Sequence, residues 1–121
     1  MRLFALRGAI SVARNDAEDI IAATSELMKA IMERNGLEPQ DVVSCIFTAT
    51  NDLNAEFPAV AARAIGFDRV PLLCAREMGV PGALPRVIRV LIHYYAVDEH
   101  SPTHVYLGEA SELRTDLGAA Q

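Results

Sequence analysis

Arg89 stands in the run Val87-Ile88-Arg89-Val90-Leu91-Ile92, whose β-branched and aliphatic neighbours predict a buried strand. A guanidinium cannot be left unpaired there, because an isolated buried charge is costly. Strand alternation puts Val87, Arg89 and Leu91 on one side and Ile88, Val90 and Ile92 on the other. Arg7 repeats the pattern in an earlier apolar run, sharing a face with Leu3 and Ala5. Two arginines on apolar strand faces require anions. Either they sit in buried or inter-subunit ion pairs, with Glu77 or Glu109 as partners, or they hold an anionic small molecule.

Cys74 and Glu77 lie where a third strand should end, a place that commonly lines a ligand cleft. Cys74 reads as a small buried apolar residue unless a base activates it, and no histidine is placed to do so. Glu77 precedes a glycine- and proline-rich stretch and reads as solvated, as do Arg63 on a helix and Arg114 in the tail. There is no phosphate loop, dinucleotide fingerprint, serine elbow or triad. Asp98, Glu99 and His100 could supply metal ligands but read as a solvated loop. An enzyme of this composition would work by binding and fixed charge, with no metal and no cofactor.

The chain has 121 residues, 51% hydrophobic and 22% charged, which suits one core-forming domain over 1–121. A formal net charge of -5 argues against nucleic acid. Of the 11 lysines and arginines only Lys29 is a lysine, so the rigid arginine fork dominates the cations. Cys45 and Cys74 form no Cys-x-x-Cys pair, and a disulfide is not expected. The apolar runs are far shorter than the roughly 20 residues of a membrane span. The start, MRLFALRGAI, has no signal-peptide pattern, so a cytoplasmic location is expected.

The elements that must position these residues follow from periodicity. Residues 2–12 predict a strand, with Gly8 as a bulge or point of close approach. Residues 17–34 predict a helix, capped by Asn15 or Asp16, striped by Ile20, Thr24, Leu27 and Ile31 and closed by Asn35-Gly36. Strands are expected at 41–50, 70–75, 86–96 and 103–109, a helix at 55–66 with Pro58 near its start, and a turn-rich loop at 77–85. Residues 111–121 read as a polar, mobile tail. The fold class is α/β (α+β mixed), in the order β-α-β-α-β-β followed by the short last strand, with two helices on one face of a mixed sheet. Two helices cannot cover both faces of such a sheet, so the second face is expected to meet other copies of the chain.

The segments LRGAISV at 6–12, TATNDLNAEFPAVAAR at 48–63, CAREMGVPGALPRVIRV at 74–90 and HVYLGEASELRTDL at 104–117 resemble the α/β type of chorismate mutase, nearly end to end. The resemblance implies a homotrimer with sheet faces packed at its centre and active sites between adjacent subunits. It implies isomerisation of chorismate to prephenate by a pericyclic rearrangement in aromatic amino acid biosynthesis. By this resemblance Arg7 and Tyr106 hold substrate carboxylate, Glu77 and Cys74 contact the ring hydroxyl region, and Arg89 reaches the ether oxygen. Arg63 lies at the site mouth, Phe57 and Leu113 are apolar walls, and the tail around Arg114 helps to close the site. Val60 stands where the family can carry lysine, and Thr115 where proline is common; both are peripheral.

The implied chemistry answers the question that Arg89 raises. The rearrangement breaks a C–O bond as a C–C bond forms, and the ether oxygen gains negative charge, which a fixed guanidinium stabilises. Two alternatives keep part of this picture: a non-catalytic trimer binding a carboxylate metabolite, and an imine-hydrolysing trimer of similar architecture. The first has no need of Arg89, and the second does not account for the segments at 48–63 and 74–90.

Overall fold

The structure is a computed structural model describing residues 1–114, with side chains described through Glu112; the predicted tail beyond, and the side chains of Leu113 and Arg114, lie outside the described residues. Seven main elements follow one another: β1 (Arg2–Ser11), α1 (Ala17–Asn35), β2 (Val42–Ala49), α2 (Pro58–Ala62), β3 (Leu72–Arg76), β4 (Val87–Ala96) and β5 (Val105–Leu107). A 3-10 segment, Gly108–Arg114, follows β5. The strands form one sheet in the order β3-β2-β4-β1-β5. It is mixed: β4 runs antiparallel to β1 and β2, whereas β3 is parallel to β2 and β5 to β1.

Helix α1 begins at Asp16, whose carboxylate accepts the Asp19 amide at 3.2 Å, and ends at Gly36 in the left-handed region (φ 63°). Its buried stripe of Ile20, Thr24, Leu27, Met28 and Ile31 packs on one sheet face, with Leu6, Ile10, Phe47, Ile88, Ile92 and Tyr94 beneath. Thr24 is tolerated there because its hydroxyl donates to the Ile20 carbonyl at 2.7 Å. Gly8 is a point of close approach, not a bulge, since the β1/β4 register runs unbroken through it. A Cβ at this position would meet Ile31 Cδ1 at 2.7 Å and the Val105 carbonyl oxygen at 3.2 Å.

The second helix is shorter than its alanine content predicts. Pro58 is its first residue, and Phe57 before it is extended (φ -80°, ψ 128°), as a residue preceding proline prefers. At the other end Ile65 and Gly66 leave helical geometry, Gly66 at φ 111°, so the turn Arg63–Phe67 closes the element. The last strand is also shorter than expected, because Gly108 takes φ 61° and turns the chain into the 3-10 segment.

The helices cover one face. On the other, the ladders align Leu73, Ile46, Leu91 and Arg7 across four strands, and pair Leu3 with Tyr95. Leu73, Tyr95 and Leu3 are 61%, 48% and 49% exposed. One end of this face is closed by the 3-10 segment, whose Ala110 buries itself against Ala9 and Val87. Among the described residues no helix is long and apolar enough to cross a membrane.

Candidate active site

A second row crosses the uncovered face: Ala75, Thr48, Arg89, Ala9 and Tyr106, in strand order. Arg7 precedes Ala9 by two residues and is thus a diagonal neighbour of both Arg89 and Tyr106. Ala9, the small residue at the centre, forms the floor between them. The alternation expected for Arg7 and Arg89 holds, and it gathers Arg7, Arg89 and Tyr106 on one surface.

Glu77 joins this surface from the end of β3. Its amide continues the ladder to the Ala49 carbonyl at 3.0 Å. Its carboxylate then accepts from Arg89 Nη1 at 2.9 Å and from Thr48 Oγ1 at 2.8 Å, using one oxygen for each. The expectation of a solvated Glu77 is therefore corrected: the side chain is 14% exposed, against 41% for Arg89. Two donors draw it inward, and together they offset its desolvation. The ion pair that the sequence offered as one reading of Arg89 is present, and it leaves the rest of the five-donor fork for a second anion.

The loop before β4 fixes where Arg89 stands. Arg86 sits at φ 50°, unusual for a side-chain-bearing residue, and its amide donates to both Asp52 carboxylate oxygens at 3.2 and 3.1 Å. Its guanidinium Nε donates to the Val12 carbonyl at 3.0 Å, and the Val87 amide to Thr50 Oγ1 at 3.0 Å. These contacts pin Arg86 and Val87, three and two positions before Arg89, at the start of β4. Sequence reasoning missed Thr48, Thr50, Asp52 and Arg86; that Thr48 is one of two polar residues in β2, with Ser44, was the one available signal for it.

Cys74 does not share this surface. It pairs with Phe47 and faces the helices, half-buried against the core. There it lines a cavity of about 380 Å³ with Ala49, Leu53, Phe57, Pro58 and Arg76. Arg63 is exposed on the turn after α2. One chain thus displays two separate groups, Arg7–Glu77–Arg89–Tyr106 on the sheet face and Cys74–Phe57 on the helix side of β3. The Cys45 thiol is buried in the core and pushed up to about 12 by desolvation, so it is inert. Among the described residues no group of three metal-ligating side chains occurs.

The sequence model of type I chorismate mutase matches residues 3–117. The chain belongs to the type I chorismate mutase family. It is 50% identical over 118 residues to the chorismate mutase AroH of Thermus thermophilus, covering 96% of this chain and 97% of that one. With the chorismate mutase AroH of Bacillus subtilis (strain 168) it shares 40% identity over 119 residues, 97% of this chain and 94% of the other. A solved chorismate mutase from Clostridium thermocellum superposes with a TM-score of 0.87 at 45% identity, over 90% of this chain and 98% of that chain. Family membership at this coverage sets aside the imine-hydrolysing alternative.

Proposed function

We propose that the protein isomerises chorismate to prephenate, the reaction of the family it belongs to, by fixed charge and conformational restriction with no covalent step. The observation that carries this reading is the Arg89–Glu77–Thr48 chain of contacts, which holds a guanidinium in one orientation on the uncovered face, beside Arg7 and Tyr106. As the C–O bond of the substrate breaks, the ether oxygen gains charge that the remaining donors of Arg89 meet. Since that charge is greater in the transition state than in the bound substrate, the interaction lowers the barrier instead of only tightening binding. Arg7 and Tyr106 hold carboxylate and keep the side chain of the substrate over its ring. Glu77 orients Arg89 and accepts from the ring hydroxyl, and Cys74 reaches the same region from an adjacent copy.

The site is completed by a neighbouring copy in a homotrimer. Two features support this: the apolar row Leu73–Ile46–Leu91 on the uncovered face, and the separation of Cys74 and Phe57 from Arg89 within one chain. Phe57 and Arg63 then reach the site of the adjacent copy as wall and mouth. Ala110 of the 3-10 segment packs against Ala9, the ladder partner of Arg89, and Val87, and Leu113 and Arg114 of the same segment help to close the site. The chain works in the cytoplasm as a single domain, free of metal and cofactor. The direct test is to add chorismate to the purified protein, following loss of its absorbance and appearance of prephenate. Absence of turnover sinks the reading, and a monomer in sedimentation sinks the shared site.

A further inference from the structure

Strand β5 carries Tyr106 but has three residues, too few to hold an edge by its own ladder. Its first pair is Val105 with Gly8, so the Arg7 amide lies one residue before the ladder begins. That amide does not go unsatisfied: it donates to His104 Nδ1 at 3.0 Å. One residue earlier, Asn35 at the end of α1 grips Thr103 by both backbone groups. The Thr103 amide donates to Asn35 Oδ1 at 2.8 Å, and Asn35 Nδ2 donates to the Thr103 carbonyl at 2.9 Å. The same Nδ2 donates to the Ile31 carbonyl at 3.0 Å, which ties the amide group to its helix.

We propose that His104 is a positioning residue, acting with Asn35 as a two-point clamp that seats β5 and so sets where Arg7 and Tyr106 stand. The imidazole extends the β1/β5 ladder by one bond at Arg7, the side-chain amide holds the entry to the strand, and Tyr106 follows two residues on beside Ala9. The bond needs an unprotonated Nδ1 and hence the Nε2–H form of the ring. Burial, and then the charge of Arg7, hold His104 below its ordinary value and keep it in that neutral form. The clamp acts on the two residues read as carboxylate holders, so its kinetic effect rests on the proposed function, while its effect on β5 does not.

The test compares His104→Phe, His104→Asn and Asn35→Ala in the full-length protein near neutral pH. Losing the bond to Arg7 should raise KM for chorismate about tenfold in His104→Phe, with kcat changed by less than about threefold. His104→Asn should recover most of the loss, because an amide oxygen can accept from the Arg7 N–H. Amide hydrogen exchange at Arg7 and 105–107 should quicken in His104→Phe and return toward wild type in His104→Asn. A wild-type KM in His104→Phe, or His104→Asn no better than His104→Phe, overturns the proposal. Should His104→Phe fail to fold, Asn35→Ala decides, since an unchanged KM and unchanged exchange at 105–107 there overturn it equally. If the wild type turns over no chorismate, the functional reading fails, and the exchange rates alone still decide whether the clamp exists.

Discussion

Arg89 and Glu77 are joined at 2.9 Å, and the carboxylate is the more deeply placed member of the pair. Glu77 is therefore the fixed end, secured by Thr48, and Arg89 is the end that a ligand can reach. Such a pair is a poor stability device, because a half-exposed ion pair contributes little. It is a good orienting device, because each oxygen of the carboxylate has one partner.

Arg89→Ala is expected to fold and to keep weak binding of a dianionic transition-state analogue through Arg7 and Tyr106. Its kcat should fall at least about a hundredfold, the usual effect of removing one donor to a developing oxyanion. Arg89→Lys should rescue only in part, since an ammonium cannot reproduce the planar fork. Citrulline at this position separates hydrogen bonding from charge, and near-wild-type turnover would shift the explanation to conformational restriction.

Thr48→Val frees one oxygen of Glu77 without touching Arg89. The lost bond is worth about 0.5–1.5 kcal/mol, so kcat should drop up to roughly tenfold with KM little changed. Glu77→Gln can accept from Arg89 through its one oxygen and donate its NH2 to Thr48 Oγ1, but loses the charge, and should be less impaired than Glu77→Ala. Steady-state kinetics on the three variants checks the order.

If the site is shared between copies, two impaired chains can complement each other. Phe57 is 66% exposed, so Phe57→Asp should fold while repelling a dianionic substrate. Refolding it together with Arg89→Ala should restore about a quarter of the sites under random assembly. A mixture as inactive as its components would place the whole site within one chain.

The state of His104 gives a pH signature. Desolvation, and then Arg7, lower its folded value below 6.5, so as pH falls the unfolded chain takes up the proton first. The stability contributed by the neutral ring is complete above 6.5 and is lost as pH drops from there through the folded value. Thermal melts across that window should show a steeper fall for the wild type than for His104→Asn, and equal slopes would refute the assignment.

Cys74→Ser should retain much of its activity, since the reaction needs no thiolate. Iodoacetamide should modify Cys74 and spare the buried Cys45, which mass spectrometry can count. A folded Cys74→Ser protein without turnover would reopen nucleophilic catalysis.

The parts of this fold legible in the sequence are those set by local periodicity. Alternation in 87–92 told which side Arg89 takes, and the Asp16 and Gly36 caps bounded α1 to within a residue. Helix α2 was overdrawn because alanine favours helix broadly, while Pro58 and Gly66 set limits one residue at a time. Glu77 was offered both as a solvated residue and as a partner of Arg89, and the sequence could not choose between the two. Its partners Thr48 and Arg89 are 29 and 12 residues away, and no local rule joins them. The roles of Asn35 and His104 depend on contacts 68 and 97 residues away and were equally hidden.

Gly8 has a consequence for how this protein can change. It lies between Arg7 and Ala9, whose side chains face the cleft, while its own missing side chain lets Ile31 settle against β1. Here a single backbone is the partition between oily interior and charged chamber. Volume added on the interior side has nowhere to go except into the wall, and the wall carries the arginine. Robustness and catalytic geometry are thus traded against each other at this spot, and variants that gain heat resistance by filling the core should arise anywhere but under residue 8.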